Sequence, residues 1–450
     1  MKFGGTSVAT AEARQIAANR VVAARERGFR PVVVVSAIGR RGAPYATDTL
    51  IGLLREIDPT VAPDAREQDL LMACGEILSA SVFAQTLRTL GAPGVALLGA
   101  QAGIFTDSAF GNARIERVDP TFVLEVLESG RIPVVCGFQG VSIPEGNGRF
   151  GEITTLGRGG SDTTAAALGA ALQADAIEIY TDVDGVKTAD PDMVPHAPTL
   201  AQITYDEVSE IAHLGAKVLH PRAAEIAMQY NIPLWVKSTF LDEPGTEVIA
   251  RNPESAKQIT GVTHTGKLVN LQFDLDTAEE EDRMWIRGKI YELMASFGVY
   301  LYMINVSPNG IGFAVTREQF PMVEHLLDGL VLPMGGGNRT YLSQLGRTGS
   351  KEVEAQVRLL EEAGEVRRVI AELTESCTMV SLVGNEYLHQ PGVFYAVLST
   401  LHEAQIPVLQ TSDSDFSISC LIPEAETDRA VRLLHDRFDL ASRGRVAEVA

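Results

Sequence analysis

Little in this 450-residue chain offers redox or zinc chemistry. Its four cysteines, Cys74, Cys136, Cys377 and Cys420, include no CxxC pair. Each sits in an apolar segment, the setting of a buried, reduced thiol. The eight histidines form no HExxH or related cluster, which excludes the common protein-ligated zinc sites, and no metal-ligating residues are expected. Positive charge is also scarce: 38 Lys and Arg stand against 58 Asp and Glu, for a formal net charge of −20. Such a chain repels nucleic acids and anionic membranes, so neither is expected as a partner. No apolar run approaches the roughly 20 residues that span a bilayer. The N-terminus lacks a signal-peptide pattern, and a cytoplasmic location is expected.

What is present is a globular composition, 45% hydrophobic and 21% charged, over a length that calls for two or three domains. Residues 1–245 alternate strand-like and helix-like segments. Strands are expected at Val32–Ser36, Val95–Leu98, Ile132–Phe138, Ala176–Thr181 and Pro233–Lys237. Helices are expected at Ala9–Arg27, Glu67–Leu90, Asp119–Glu128, Thr163–Leu172, Tyr205–His213 and Ala223–Tyr230. The strand candidates are continuous Val/Ile runs, as in a mostly parallel sheet covered by helices on both faces. Ligands of such a sheet gather at the carboxyl ends of its strands.

A boundary is expected within residues 241–258, and beyond it the chain repeats itself. Val299–Val315 aligns without gaps on Ile406–Ile422, an offset of 406 − 299 = 107 residues. Each copy has a helix candidate before it (Trp285–Phe297, Val393–Ala404) and another after it (Phe320–Leu330, Glu426–Phe438). That order reads as βαββαβ, the ferredoxin-like unit, twice. The expected units are 259–332 and 376–450. Residues 333–375 read as a linker, with a hinge at Gly335–Gly337 and a helix candidate in Lys351–Leu373.

Chemistry concentrates in two glycine-rich turns, Lys2-Phe-Gly4-Gly5-Thr6-Ser7 and Gly157-Arg158-Gly159-Gly160-Ser161-Asp162, each followed by a helix-like stretch. Glycines let backbone N–H groups approach anions, and a helix N-terminus favours negative charge. Lys2 and Arg158 add fixed positive charge. Two such cradles suit the holding of two anions against each other, the geometry of phosphoryl transfer. A third motif, Gly261–Lys267, falls short of a P-loop because Leu268 replaces the required Ser/Thr. Glu76, in an otherwise apolar helix, needs either an internal cation or a ligand amine.

The motifs KFGGTSV, VVVSA, TLGRGGSDTTA, YTDVDGV, TADP and GAKVLHPRA, in this order over residues 2–250, resemble those of the aspartate kinases of the amino-acid-kinase family. The resemblance implies an amino-acid-kinase domain over 1–245, with a mostly parallel sheet between helices, followed by two ferredoxin-like ACT units. It implies ATP, with magnesium carried on the nucleotide, and L-aspartate as substrates. By motif, Lys2, Gly4, Gly5, Thr6, Ser7, Thr181, Asp182 and Lys187 would face the nucleotide. Ser36, Thr47, Glu76, Arg158, Gly160, Ser161 and Asp162 would line the aspartate pocket, with Lys2, Gly5 and Asp162 at the chemistry. Asn305, Ser307 and Ile311 would contact an amino-acid effector (lysine, threonine or diaminopimelate), and the ACT units would form a homodimer. A regulatory, non-catalytic subunit and a kinase of another acidic substrate remain as alternatives. The family places a short apolar strand ahead of KFGGTS, and here Met1 takes the place of that strand's last residue, so either the start is misassigned or a central strand is expected to be missing.

Overall fold

The computed structural model describes residues 1–58, 61–143, 151–216, 218–250, 259–334, 339–346, 351–385 and 390–443, the side chains of 351–356 and 443 excepted. The hinge expected at Gly335–Gly337 lies outside the described residues, as do 251–258 of the expected boundary. The chain divides into two compact units, one of 1–191, 195–260 and 439–450, the other of 192–194 and 261–438.

The first unit opens with β1 (Lys2–Phe3), α1 (Ala11–Glu26), β2 (Val33–Val35), α2 (Thr47–Arg55) and α3 (Ala65–Thr89). Next come β3 (Gly94–Leu97), β4 (Ile104–Thr106), β5 (Ile115–Val118), α4 (Thr121–Glu128), β6 (Ile132–Cys136), β7 (Gln139–Ser142) and β8 (Ile153–Thr155). It ends with α5 (Gly160–Ala171), β9 (Ile177–Thr181), β10 (Gln202–Thr204), α6 (Tyr205–His213), α7 (Pro221–Gln229), β11 (Leu234–Ser238) and β12 (Thr246–Ile249). Every strand and helix expected in residues 1–245 has its counterpart here. The main sheet runs β10-β12-β11-β9-β1-β2-β6-β3. Only the β11–β12 pair is antiparallel. A second sheet, β5-β4-β7-β8, was not anticipated.

The strand holding Lys2 is present but only two residues long, and it sits between β9 and β2 in the middle of the main sheet. Its position rests on Phe3, fully buried and stacked between Phe83 (5.5 Å between ring centroids) and Tyr180 (4.9 Å). The Met1 α-amino group is itself buried; it donates to Val32 O at 2.8 Å, and burial lowers its pKa to about 6 against the pull of Glu178. Ahead of β1 lies a partly open cavity of about 380 Å³, lined by Met1, Val32, Leu124, Leu168, Ile177 and Glu178 among others. α3 is long and apolar enough to cross a membrane by length and composition alone, contrary to the expectation that no run came close. Here it serves as a core helix against β3, β6 and β8, contributing Phe83 and Leu87 to the interior.

The second unit carries β13 (Ile259–Asp274), α8 (Glu280–Ser296), β14 (Tyr302–Ser307), β15 (Gly310–Thr316), α9 (Phe320–Leu327), β16 (Val331–Pro333) and β17 (Thr340–Leu345). α10 (Lys351–Glu362), β18 (Arg367–Gly384), α11 (Val393–Glu403), β19 (Gln410–Asp413), β20 (Ser417–Pro423) and α12 (Thr427–Arg437) follow. The repeat is plain: hairpins β14–β15 and β19–β20 stand at the aligned positions, each between two helices. Residues 333–375 hold the expected helix but differ from a linker. β17 and the start of β18 run parallel at Tyr341–Leu345 against Arg367–Ala371, and their Tyr341, Leu345, Val369 and Ala371 join the first repeat's core. The single strand β18 then continues to pair Cys377–Val383 with β20 of the second repeat. Its alternation of Val369, Ala371 and Leu373 is broken at Glu375, within the polar run Thr374–Ser376, which is why it does not read as one strand. The near-P-loop Gly261–Lys267 lies inside β13.

Candidate functional site

The two glycine turns meet. Lys2 is the first residue of the two-residue strand β1, and its Nζ lies 2.7 Å from Asp162 Oδ1 in the first turn of α5, both side chains nearly buried. Asp162 Oδ2 accepts from the His220 backbone N–H at 3.2 Å. α5 starts from Gly159, whose φ of 70° is left-handed, the conformation that glycine holds at little cost. The fold thus sets a cation, an anion and a helix N-terminus at one point above the sheet.

The glycines act differently from simple amide donors. Gly4 N–H is taken by Tyr180 O (3.2 Å), continuing the ladder to β9, so it is not offered to a phosphate. Its contribution is bare space: a Cβ there would stand 3.6 Å from Lys2 Nζ. A Cβ on Gly5 would lie 2.5 Å from Gly39 O and 2.9 Å from Ala37 O, so only glycine lets the turn meet the loop after β2. Gly160 N–H closes the second turn on Gly157 O (3.0 Å) and is likewise engaged. Ser7 is fully buried with its hydroxyl 2.7 Å from Thr239 Oγ1, which takes it out of the expected nucleotide contacts. Thr6 begins the short 3₁₀ turn that carries Ser7 inward.

Around this point stand the other expected residues. Ser36 directly follows β2, held by its N–H on Phe3 O at 3.1 Å. Thr47 opens helix α2, which is not among the helices expected from the sequence. Glu76 of α3 is buried; its Oε1 accepts from Ala37 N–H at 2.9 Å, while Oε2 is buried with no hydrogen-bond partner. Burial raises its pKa to about 8, against the lowering effect of the Ala37 amide. Ser161 is buried against Gly137 at the end of β6, where a Cβ would come 2.7 Å from Ser161 Oγ. Arg158 is exposed and makes no ion pair among the described residues.

The expected nucleotide edge is a separate polar cluster after β9. Thr181 donates to Asp182 (3.1 Å), and Asp182 pairs with Arg40 at 2.7 Å. Lys187 pairs with Asp184 at 2.8 Å and donates to Thr199. Burial works against Asp184 ionisation, but Lys187 and Thr199 outweigh it and hold its pKa below the ordinary value. Arg40 and His220 were missed; Arg40 lies three residues past the VVVSA run and His220 lies within GAKVLHPRA, but neither motif names the partner that folding supplies. Among the described residues, no group of three or more His, Cys, Asp or Glu side chains could hold a metal ion.

In the second unit, Asn305, Ser307 and Ile311 line one cavity of about 340 Å³, together with Asp274, Asn309 and Glu372.

The model of the amino acid kinase family matches residues 1–238, and an ACT domain model matches 372–436. Aspartokinase 1 of Bacillus subtilis is 37% identical over 446 residues, 98% of each chain. The aspartokinase of Mycolicibacterium smegmatis is 36% identical over 449 residues, covering 98% of this chain and 95% of that one. Among solved structures, E. coli aspartokinase III in complex with aspartate and ADP superposes with a TM-score of 0.70 at 23% identity, over 97% of this chain and 99% of that one. Aspartate kinase from Synechocystis gives 0.60 at 25% identity, over 100% and 99%.

Proposed function

The chain belongs to the aspartokinases of the amino acid kinase family, and from that premise we propose how its residues move the γ-phosphoryl group of ATP onto the β-carboxylate of L-aspartate. The product is 4-phospho-L-aspartate, which leads to lysine, methionine and threonine. The observation that carries the reading is the Lys2–Asp162 contact, which brings both glycine turns to the carboxyl ends of the central strands. An aspartate β-carboxylate is ionised at pH 7 and needs no general base. The protein's task is to align two anions and neutralise the charge that builds between them.

Lys2, with Gly4, Gly5 and Thr6 leaving room beside it, faces the β- and γ-phosphates. Asp162 holds the Lys2 ammonium in place until phosphate oxygens share it. The unpartnered Glu76 Oε2 receives the substrate ammonium, Arg158 takes the α-carboxylate as a fork, and Ser36, Thr47 and Ser161 complete the pocket. Thr181, Asp182 and Lys187 border the nucleotide. No side-chain cage for a divalent ion is gathered among the described residues, so magnesium would arrive on the nucleotide's own phosphates. Residues 1–245 are assigned to catalysis, and two ACT units beginning at 259 and 376 to regulation.

The cavity lined by Asn305, Ser307 and Ile311 is the proposed effector site, for lysine, threonine or diaminopimelate. A homodimer through the ACT units is proposed with it. β14 ends its sheet with Ile304 and Val306 more than half exposed, an edge that a second copy would cover. Free thiols at all four cysteines suit a cytoplasmic location. The test is ADP release coupled to NADH oxidation, with MgATP and aspartate: turnover that requires aspartate and not glutamate is expected, and its absence in a folded protein removes the reading.

A further inference from the structure

The start of α7 grips the second glycine turn from outside the substrate pocket. The His220 ring lies against Gly159 so closely that a Cβ on that glycine would fall 2.1 Å from His220 Cδ2 and 2.3 Å from Cγ. The His220 backbone N–H holds Asp162 Oδ2, leaving Oδ1 for Lys2. Two residues on, the Arg222 guanidinium donates to Leu156 O (3.3 Å) and Asn112 Oδ1 (3.0 Å), fixing the other end of the same turn. The ring nitrogen Nδ1 is buried and has no hydrogen-bond partner. An imidazole that neither donates nor accepts at that atom contributes its shape there, and a buried donor without a partner is tolerated only while uncharged.

We propose that His220 is a positioning residue for phosphoryl transfer: its neutral ring seats the left-handed Gly159 turn, and its backbone aims Asp162 at Lys2. The inference rests on the assignment of the Lys2–Asp162 site to phosphoryl transfer. Several charges face the ring. Asp162 from α5 and Glu225 from α7 favour its protonation; Arg222 from α7 and His213 from α6 oppose it. Burial, the largest influence, also opposes it, so the pKa lies below the ordinary histidine value. Protonation in acid would place an unsolvated N–H at Nδ1 and a positive charge beside Arg222. The ring would leave its seat and Asp162 would lose its aim.

The experiment compares kcat, KM for each substrate and pH profiles of the full chain and two variants, with folding checked by circular dichroism. His220→Ala empties the seat but keeps the backbone donor; kcat should fall about 10²-fold, the scale of a small misplacement, with KM for ATP within about threefold. His220→Phe keeps a ring in the seat and cannot titrate. Its kcat should stay within about threefold of the parent at pH 8, and the parent's fall in kcat below pH 6.5 should be lost or shifted. A folded His220→Ala with parental kcat, a loss confined to KM, or an acid limb unchanged in His220→Phe would each overturn the proposal. Should His220→Ala fail to fold, the acid limb of His220→Phe decides. No aspartate-dependent turnover by the parent chain would instead refute the phosphoryl-transfer reading, and this inference would fall with it.

Discussion

Lys2 and Glu76 are the two side chains on which the site's electrostatics turn, and each can be tested alone. Lys2→Ala removes the one cation that pairs with Asp162 among the described residues. It strips charge from a nearly dry site, so kcat should fall by about 10²–10³, roughly 3–4 kcal/mol of transition-state stabilisation, in the same coupled assay. Glu76 is a different case because its raised pKa favours the protonated form in the folded chain. The unfolded carboxyl releases its proton near the ordinary 4.5 while the folded one keeps it to about 8, so stability declines as pH rises through that window. Glu76→Gln should therefore raise Tm at pH 8 relative to the parent, by roughly 2–4 °C for each kcal/mol recovered, and leave it nearly unchanged at pH 4.5. The same variant should lose aspartate affinity. For the parent, kcat/KM for aspartate should climb with pH up to about 8, because an ammonium is best received by an ionised Glu76.

Elements explain which parts of this fold could be read from the sequence. The main sheet was legible because β2 and β6 are apolar runs buried along their whole length, and β9 and β11 keep buried apolar residues at alternate positions, Ile177 and Ile179, Leu234 and Val236. The sheet β5-β4-β7-β8 was not, because its strands are three or four residues long and polar at Thr106, Glu116 and Thr155, too little for a period to register. β1 shows how short an element can be when its neighbours define it: two residues hold the sheet's middle because Phe3 is locked between two rings. Phe3→Ala should cost about 3–5 kcal/mol in denaturant unfolding, more than any surface change in α1. At the site, residue types and chain positions were legible, but pairings were not. Lys2 with Asp162, Asp182 with Arg40 and Ser7 with Thr239 join residues more than 140 positions apart, and only the sheet order makes them neighbours.

At the scale of the whole molecule, regulation should be separable from catalysis. Asn305→Ala lies in the second unit's cavity and should weaken inhibition by whichever of lysine, threonine or diaminopimelate acts, with uninhibited kcat unchanged in the coupled assay. Val306→Lys on the β14 edge should shift the chain toward monomer in light scattering. The long strand β18, shared by both repeats, makes them one folding unit, so a break within Thr374–Ser376 should loosen both hairpins together in hydrogen exchange. A last consequence concerns the amino terminus. Because the Met1 amine lies in a partly open slot between the leading ends of β2 and β9, the nearest residues of a fusion tag there would cross that slot before reaching solvent. Hydrophobic ones would lengthen the middle strand and toughen the enzyme, and a flexible polar leader would wedge the sheet apart.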